Sequence, residues 1–131
     1  MNYVIIGNST AAIGCVEGIR QVDKTGKIAL ISSEPYHTYS RPLISYLLYG
    51  KTDEERMKYR PDSFYKDNGC TLLAGKTVTS VDPKGQKVLL NDGQKVSYDK
   101  LLVATGSRPF IPPIEGLDKV KEKYTFMSLD D

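Results

Sequence analysis

The sequence predicts an α/β fold, a parallel sheet with helices and an inserted antiparallel β-meander. Three observations predict it. A short apolar run, Tyr3 to Ile6, enters a turn of small residues that opens a segment with helical apolar spacing. A second apolar run, Lys27 to Ser32, follows at the distance a strand–helix–strand crossover needs. Further on, two short apolar runs flank Asn91-Asp-Gly-Gln94, a strong hairpin signal.

In chain order, residues 2–7 read as a strand buried on both faces, because consecutive apolar residues mark a parallel sheet. Gly7 ends it. Residues 10–23 read as a helix with Ala11, Ala12, Cys15, Val16, Ile19 and Val22 on its apolar face. Gly26 ends the crossover and residues 27–32 form the second strand. Glu34 to Leu43 is rich in Pro, Tyr and Ser and reads as a loop. Ser40 is placed to cap a helix over 41–49, with Pro42 in its first turn and Gly50 closing it. Residues 51–60 are charged and exposed, and residues 60–69 read as a helix ended by Asn68-Gly69. Strands are expected at 70–74, 78–82, 87–90, 95–98 and 100–104, the last a buried parallel strand ending in the small-residue turn Thr105 to Pro109.

The first strand, its turn and the helix start make an anion site. First-turn N–H groups have no partner within the helix, and the helix dipole adds positive potential there. Pyrophosphate is the usual guest. The pattern Gly-x-Gly-x-x-Gly/Ala falls on Gly7, Ser9 and Ala12; Ser9 stands where a glycine would let the backbone approach phosphate most closely. Glu34 ends the second strand about 20 residues beyond Ala12, the spacing of an acid that grips a ribose hydroxyl. Arg41, at a helix start, is placed to meet an anion or a flat ring system. The turn after the strand at 100–104 lies at the carboxyl edge, where open α/β sheets collect ligands.

The 131 residues suit one domain with a real core. The net charge of +2 is spread without a basic block, which argues against a nucleic-acid partner. No apolar run approaches a membrane span, and the N-terminal run belongs to the first strand rather than to a signal peptide. Cys15 and Cys70 make neither a disulfide framework nor a metal pattern, so no metal is expected and the compartment reads as a reducing cytoplasm. Cys15 reads as a core residue, and His37, the single histidine, as a surface loop residue.

Four motifs in order carry a resemblance across nearly the whole chain: Val4-Ile-Ile-Gly-Asn-Ser-Thr-Ala-Ala12, Leu30-Ile-Ser-Ser-Glu34, Tyr39-Ser-Arg-Pro-Leu43 and Leu102-Val-Ala-Thr-Gly-Ser-Arg-Pro109, the last followed by Ile114-Glu-Gly-Leu117. The chain resembles the N-terminal part of the FAD-binding domain of pyridine-nucleotide-dependent flavoprotein oxidoreductases. The branch it looks like contains NADH oxidases, rubredoxin and ferredoxin reductases and the nitrite reductase large subunit. The resemblance implies a Rossmann-like FAD-binding domain. The turn Gly7, Asn8, Ser9, Ala11 and Ala12 would hold the FAD pyrophosphate and Glu34 the adenosine ribose. Val78 would lend its backbone to adenine. Arg41 and Pro42 would lie on the flavin and pyrophosphate side, and Ala104, Thr105, Gly106 and Arg108 near the flavin end.

Departures from the family carry chemical meaning. The helix after the second strand holds no cysteine, so the resemblance implies a flavin that relays electrons without a thiol centre and without a catalytic residue in this chain. Ser45 and Tyr46 occupy the area where nearby members place a lysine. The family continues into an NAD(P)H-binding domain and a closing FAD-domain strand, neither of which follows Ala104. Residues 1–131 are therefore expected to be an incomplete FAD-binding domain, with 119–131 starting the connector. The acceptor would be a small redox protein, oxygen or nitrite. An open sheet edge implies self-association, such as a homodimer. The alternative is a non-catalytic module that binds ADP or NAD at the same turn.

Overall fold

The computed structural model describes residues 1–131. The chain divides into two compact units, one of residues 1–39 and 59–106, the other of residues 40–58 and 107–131.

The first unit holds all seven strands. β1 (Asn2–Ile6), β2 (Lys27–Ser32), β3 (Cys70–Ala74) and β7 (Lys100–Val103) form a parallel sheet in the order β3-β2-β1-β7. β4 (Val78–Asp82), β5 (Lys87–Leu90) and β6 (Lys95–Ser97) form the antiparallel meander. α1 (Thr10–Val22) joins β1 to β2, and α4 (Phe64–Asp67) precedes β3. The parallel sheet, its first crossover helix and the meander are as the sequence predicts.

Strand parity sorts the core into two clusters, because alternate side chains of a strand face opposite ways. Ile5, Ile28 and Leu30 pack with Ala12, Ile13 and Val16 of α1 and with Phe64. Their neighbours in sequence, Val4, Ile6 and Ile31, pack with Val88, Leu90 and Tyr98 on the meander side. The parallel sheet is thus covered on both faces, which is why β1 and β2 read as unbroken apolar runs. Each fully buried aliphatic contributes roughly 1.5–3 kcal/mol.

Several boundaries differ from the expected ones. On α1 the buried residues are Ala12, Ile13 and Val16, whereas Ala11 is exposed and Val22 is 85% exposed. The α1 seam is centred one residue further round than the apolar count suggests. β7 is not buried. It is the sheet edge, with Leu101 and Leu102 half-buried and Val103 exposed. The helix expected over 60–69 is only the turn Phe64–Asp67, and the chain just before it is held by Tyr59 N–H bonded to Thr38 O at 2.9 Å.

In the second unit the expected helix at 41–49 is split. Arg41–Leu43 is a 3-10 turn with Pro42 near its start, followed by α2 (Ile44–Leu48). The Ser40 side chain makes no capping bond. Residues 54–57 form an unexpected helical turn, α3, capped by Asp53, whose Oδ1 accepts from Arg56 N–H at 2.9 Å. A second 3-10 turn spans Leu117–Lys119. No helix is long and apolar enough to cross a membrane.

Candidate functional site

The four parallel strands end at one edge of the first unit, and the turns leaving β1, β2 and β7 gather there. The turn after β1 is tied on both sides. Gly7 N–H donates to Ile31 O at 2.8 Å, and Ala104 N–H donates to Ile6 O at 2.8 Å. Gly7 has φ 128°, and a Cβ there would run into the Ala104 carbonyl oxygen. Its glycine is therefore required by the close approach of the β7 exit as well as by the turn itself.

Ser9 is the N-cap of α1, with extended backbone at φ −107° and ψ −165°. Its carbonyl accepts from Ile13 N–H at 3.0 Å, but its side chain makes no capping bond. The first turn carries no acidic residue. The N–H groups of that turn and the dipole therefore present positive potential without a carboxylate to offset it. Ala11 is exposed, while Ala12 is fully buried against the sheet, as the small third position of the turn pattern requires for close helix–strand packing.

Asn8 is held by its side chain. Its Nδ2 donates to Tyr36 O at 3.3 Å, and its Oδ1 accepts from Tyr65 Oη at 2.7 Å. Glu34, two residues past β2, is half-buried and accepts a bond from Tyr39 Oη at 2.5 Å. Tyr39 and Tyr65 are structural contributors that the sequence reading missed. The Tyr39-Ser-Arg-Pro motif was a signal for the first; nothing in the sequence pairs Tyr65 with Asn8.

Val78 begins β4 and is half-buried in the meander-side core. Ala104, Thr105 and Gly106 leave β7; Ala104 is half-buried and the other two are exposed. In the second unit, Arg41 Nη1 donates to Met127 O at 2.7 Å, Pro42 is exposed in its 3-10 turn, and Arg108 is exposed. The structure thus gathers Gly7 to Ala12, Glu34 and Ala104 to Gly106 at one edge of the first unit, while Arg41, Pro42 and Arg108 belong to the second.

Burial raises the thiol pKa of Cys15 and of Cys70, which keeps both as neutral thiols. Burial likewise raises the Tyr65 phenol. His37 Nδ1 lies 3.0 Å from Thr38 O, and its ring meets Tyr65 edge-on at 5.0 Å. No group of three His, Cys, Asp or Glu side chains could hold a metal ion. An open cavity of about 500 Å³ lies at the opposite, N-terminal edge of the strands, lined in part by Arg20, Gly26, Lys27 and Gly69. Arg20 is spent there on the carbonyls of Asn68, Asp23 and Gly26 at 2.7, 2.9 and 2.8 Å. That cavity closes the crossover and lies away from the turns described above.

The chain matches the family model described as pyridine nucleotide-disulphide oxidoreductase over residues 1–131. It is 37% identical over 129 residues to the assimilatory nitrate reductase electron transfer subunit of Bacillus subtilis, covering 98% of this chain and 17% of that protein. It is 35% identical over 117 residues to rhodocoxin reductase of Rhodococcus erythropolis, covering 88% of this chain and 27% of the relative. Among solved structures it is similar to the covalent putidaredoxin reductase–putidaredoxin complex, with a TM-score of 0.79, 33% identity, and coverage of 86% of this chain and 27% of that one. The chain therefore spans less than a third of the length of each of these relatives. Over its full 131 residues, it belongs to the pyridine nucleotide-disulphide oxidoreductase family.

Proposed function

We propose that residues 1–131 are the FAD-binding part of an NAD(P)H-dependent flavoprotein oxidoreductase. The observation that carries the reading is the start of α1, whose cap side chain leaves the first-turn N–H groups to a ligand, with Glu34 just past the end of the adjacent strand β2. That donor set fits a dinucleotide: N–H groups for pyrophosphate and a carboxylate for ribose hydroxyls.

The backbone of Gly7, Asn8, Ser9, Ala11 and Ala12 would hold the pyrophosphate. Asn8 would contribute its N–H only, because its amide is committed to Tyr36 and Tyr65. Glu34, with its rotamer held by Tyr39, would take the adenosine ribose. The Val78 backbone is assigned to adenine. Ala104, Thr105 and Gly106, and separately Arg41, Pro42 and Arg108, are proposed as flavin-side contacts. Flavin, when bound, supplies hydride acceptance and onward electron transfer. The half-buried thiols of Cys15 and Cys70, whose pKa burial raises, support electron relay without a cysteine centre. The NAD(P)H site is proposed to lie outside these residues, with 119–131 leading toward it. Similarity to rhodocoxin reductase and to the putidaredoxin complex supports a small redox protein as acceptor. The two unpaired cysteines support a cytoplasmic setting.

Ser9 in the place of a glycine favours a second reading, a non-catalytic module for ADP or NAD. A titration with FAD, followed by flavin fluorescence with ADP as competitor, tests both. Saturable FAD binding displaced by ADP supports the first. Binding of ADP without FAD supports the second. Absence of both, persisting in Ser9→Gly, refutes the site.

A further inference from the structure

We infer that Tyr65 is a positioning residue for phosphate recognition: its hydroxyl, reaching from α4, holds Asn8 and thereby sets the shape of the turn between β1 and α1. The inference rests on the proposed dinucleotide reading of that turn.

Asn8 stands between Gly7, whose N–H is bonded to Ile31 O and whose preceding carbonyl, that of Ile6, accepts from Ala104 N–H, and Ser9, the N-cap of α1. Any rotation at Asn8 therefore re-aims the first-turn N–H groups. Two bonds oppose such rotation. Tyr65 Oη donates to Asn8 Oδ1 at 2.7 Å, and Asn8 Nδ2 donates to Tyr36 O at 3.3 Å. The same Tyr65 oxygen accepts Thr38 N–H at 3.2 Å, so the hydroxyl is used as donor and acceptor at once. Its direction is fixed by this second bond and by the rings on either side. His37 meets Tyr65 at 5.0 Å and Phe64 meets it at 5.5 Å, both edge-on. Thr38, the other end of the bridge, is 1% exposed, so its N–H has no solvent to turn to. Phe64, beside Tyr65, anchors α4 in the core, so the tether starts from a rigid point. The arrangement supplies what an anion cradle needs, donors set in place before the ligand arrives.

The test is Tyr65→Phe, which removes the hydroxyl and keeps the ring. The readout is the ratio of ADP affinity to adenosine affinity, by calorimetry for ADP and by NMR titration for adenosine. Loss of the tether is expected to weaken ADP binding by about tenfold while adenosine changes by less than about twofold. A purely structural defect would weaken both alike. Asn8→Ala, which also cuts the bond to Tyr36, is expected to give a selective loss at least as large, and the double variant no more than Asn8→Ala alone, since Tyr65→Phe cuts a linkage that Asn8→Ala already removes. Asn8→Ala alone decides the matter if Tyr65→Phe fails to fold. Wild-type binding with an unchanged ADP-to-adenosine ratio in the variants, or additive losses in the double variant, would overturn the inference alone. Absence of ADP binding by the wild-type chain would overturn the functional reading and the inference with it.

Discussion

Replacing Gly7 with alanine drives a methyl group toward the Ala104 carbonyl oxygen at a residue whose φ is 128°. Neither problem has an easy escape. The obstacle is backbone, fixed by Ala104 N–H bonded to Ile6 O, and the turn is fixed by Gly7 N–H bonded to Ile31 O. Positive φ in a non-glycine residue costs on the order of 1–3 kcal/mol. Forcing atoms into a filled space costs about 1–3 kcal/mol more. The sum, roughly 2–6 kcal/mol, is a large share of the ~5–15 kcal/mol that holds a domain together. Urea unfolding followed by circular dichroism measures it, with the slope m held as a check on two-state behaviour. Gly14→Ala is the control. Gly14 lies inside α1 with open space where a Cβ would sit, so alanine there is expected to stabilise by about 0.5–1 kcal/mol. Equal midpoints for wild type and Gly7→Ala, or equal effects at positions 7 and 14, would refute the account of how the turn is built.

Three further outcomes follow from the same geometry. Ser9→Asp supplies the missing cap and a charge that favours the helix start, so stability is expected to rise by about 0.5–1 kcal/mol while ADP binding is lost through like-charge repulsion; parallel melting and calorimetry check both halves. In Glu34→Ala the preference for ADP over 2′-deoxy-ADP is expected to vanish, since Glu34 is the carboxylate assigned to the ribose; a preserved preference in paired calorimetric titrations refutes that assignment. Asp23 is held down to about 2, first by the Thr25 and Gly26 N–H groups and then by the Tyr3 hydroxyl. As pH falls the unfolded chain, with its carboxyl near ~3.9, takes up the proton first, so the contribution of Asp23 is present above about pH 4 and is lost between about pH 4 and 2. Acid titration of stability should therefore be flatter in Asp23→Asn over that window, and an unchanged slope counts against the contact.

What the sequence made legible is what local pattern controls. β3, β4 and β5 have their expected bounds because each is a short apolar or alternating run between turn residues. α1 starts at Thr10 because strand and helix periods meet there. The misplaced features depend on distant partners. The helix after Ser40 splits because Arg41 and Pro42 begin a 3-10 turn, a choice the apolar spacing of 43–49 does not reveal. β7 has the composition of a central strand and lies at the edge, because strand order is set by pairing. The short turn at Glu54–Met57 had its signal in Asp53 followed by two glutamates, obscured by the charge of that stretch. Within the candidate site, Gly7, Ser9, Ala12 and Glu34 were readable from spacing. The bonds of Asn8 to Tyr65 and of Glu34 to Tyr39 join elements that only the folded chain brings together.

The central claim is that a dinucleotide is held at the carboxyl edge of the parallel strands by the turn after β1 and by Glu34. The most direct measurement is an ADP titration of isotopically labelled chain followed by amide NMR shifts. The account predicts saturable shifts concentrated at Gly7, Ser9, Ala11, Ala12 and Glu34, with Gly26 and Gly69 at the opposite edge unmoved. Shifts centred on Gly26, Lys27 and Gly69, or none at saturating ADP, would contradict it.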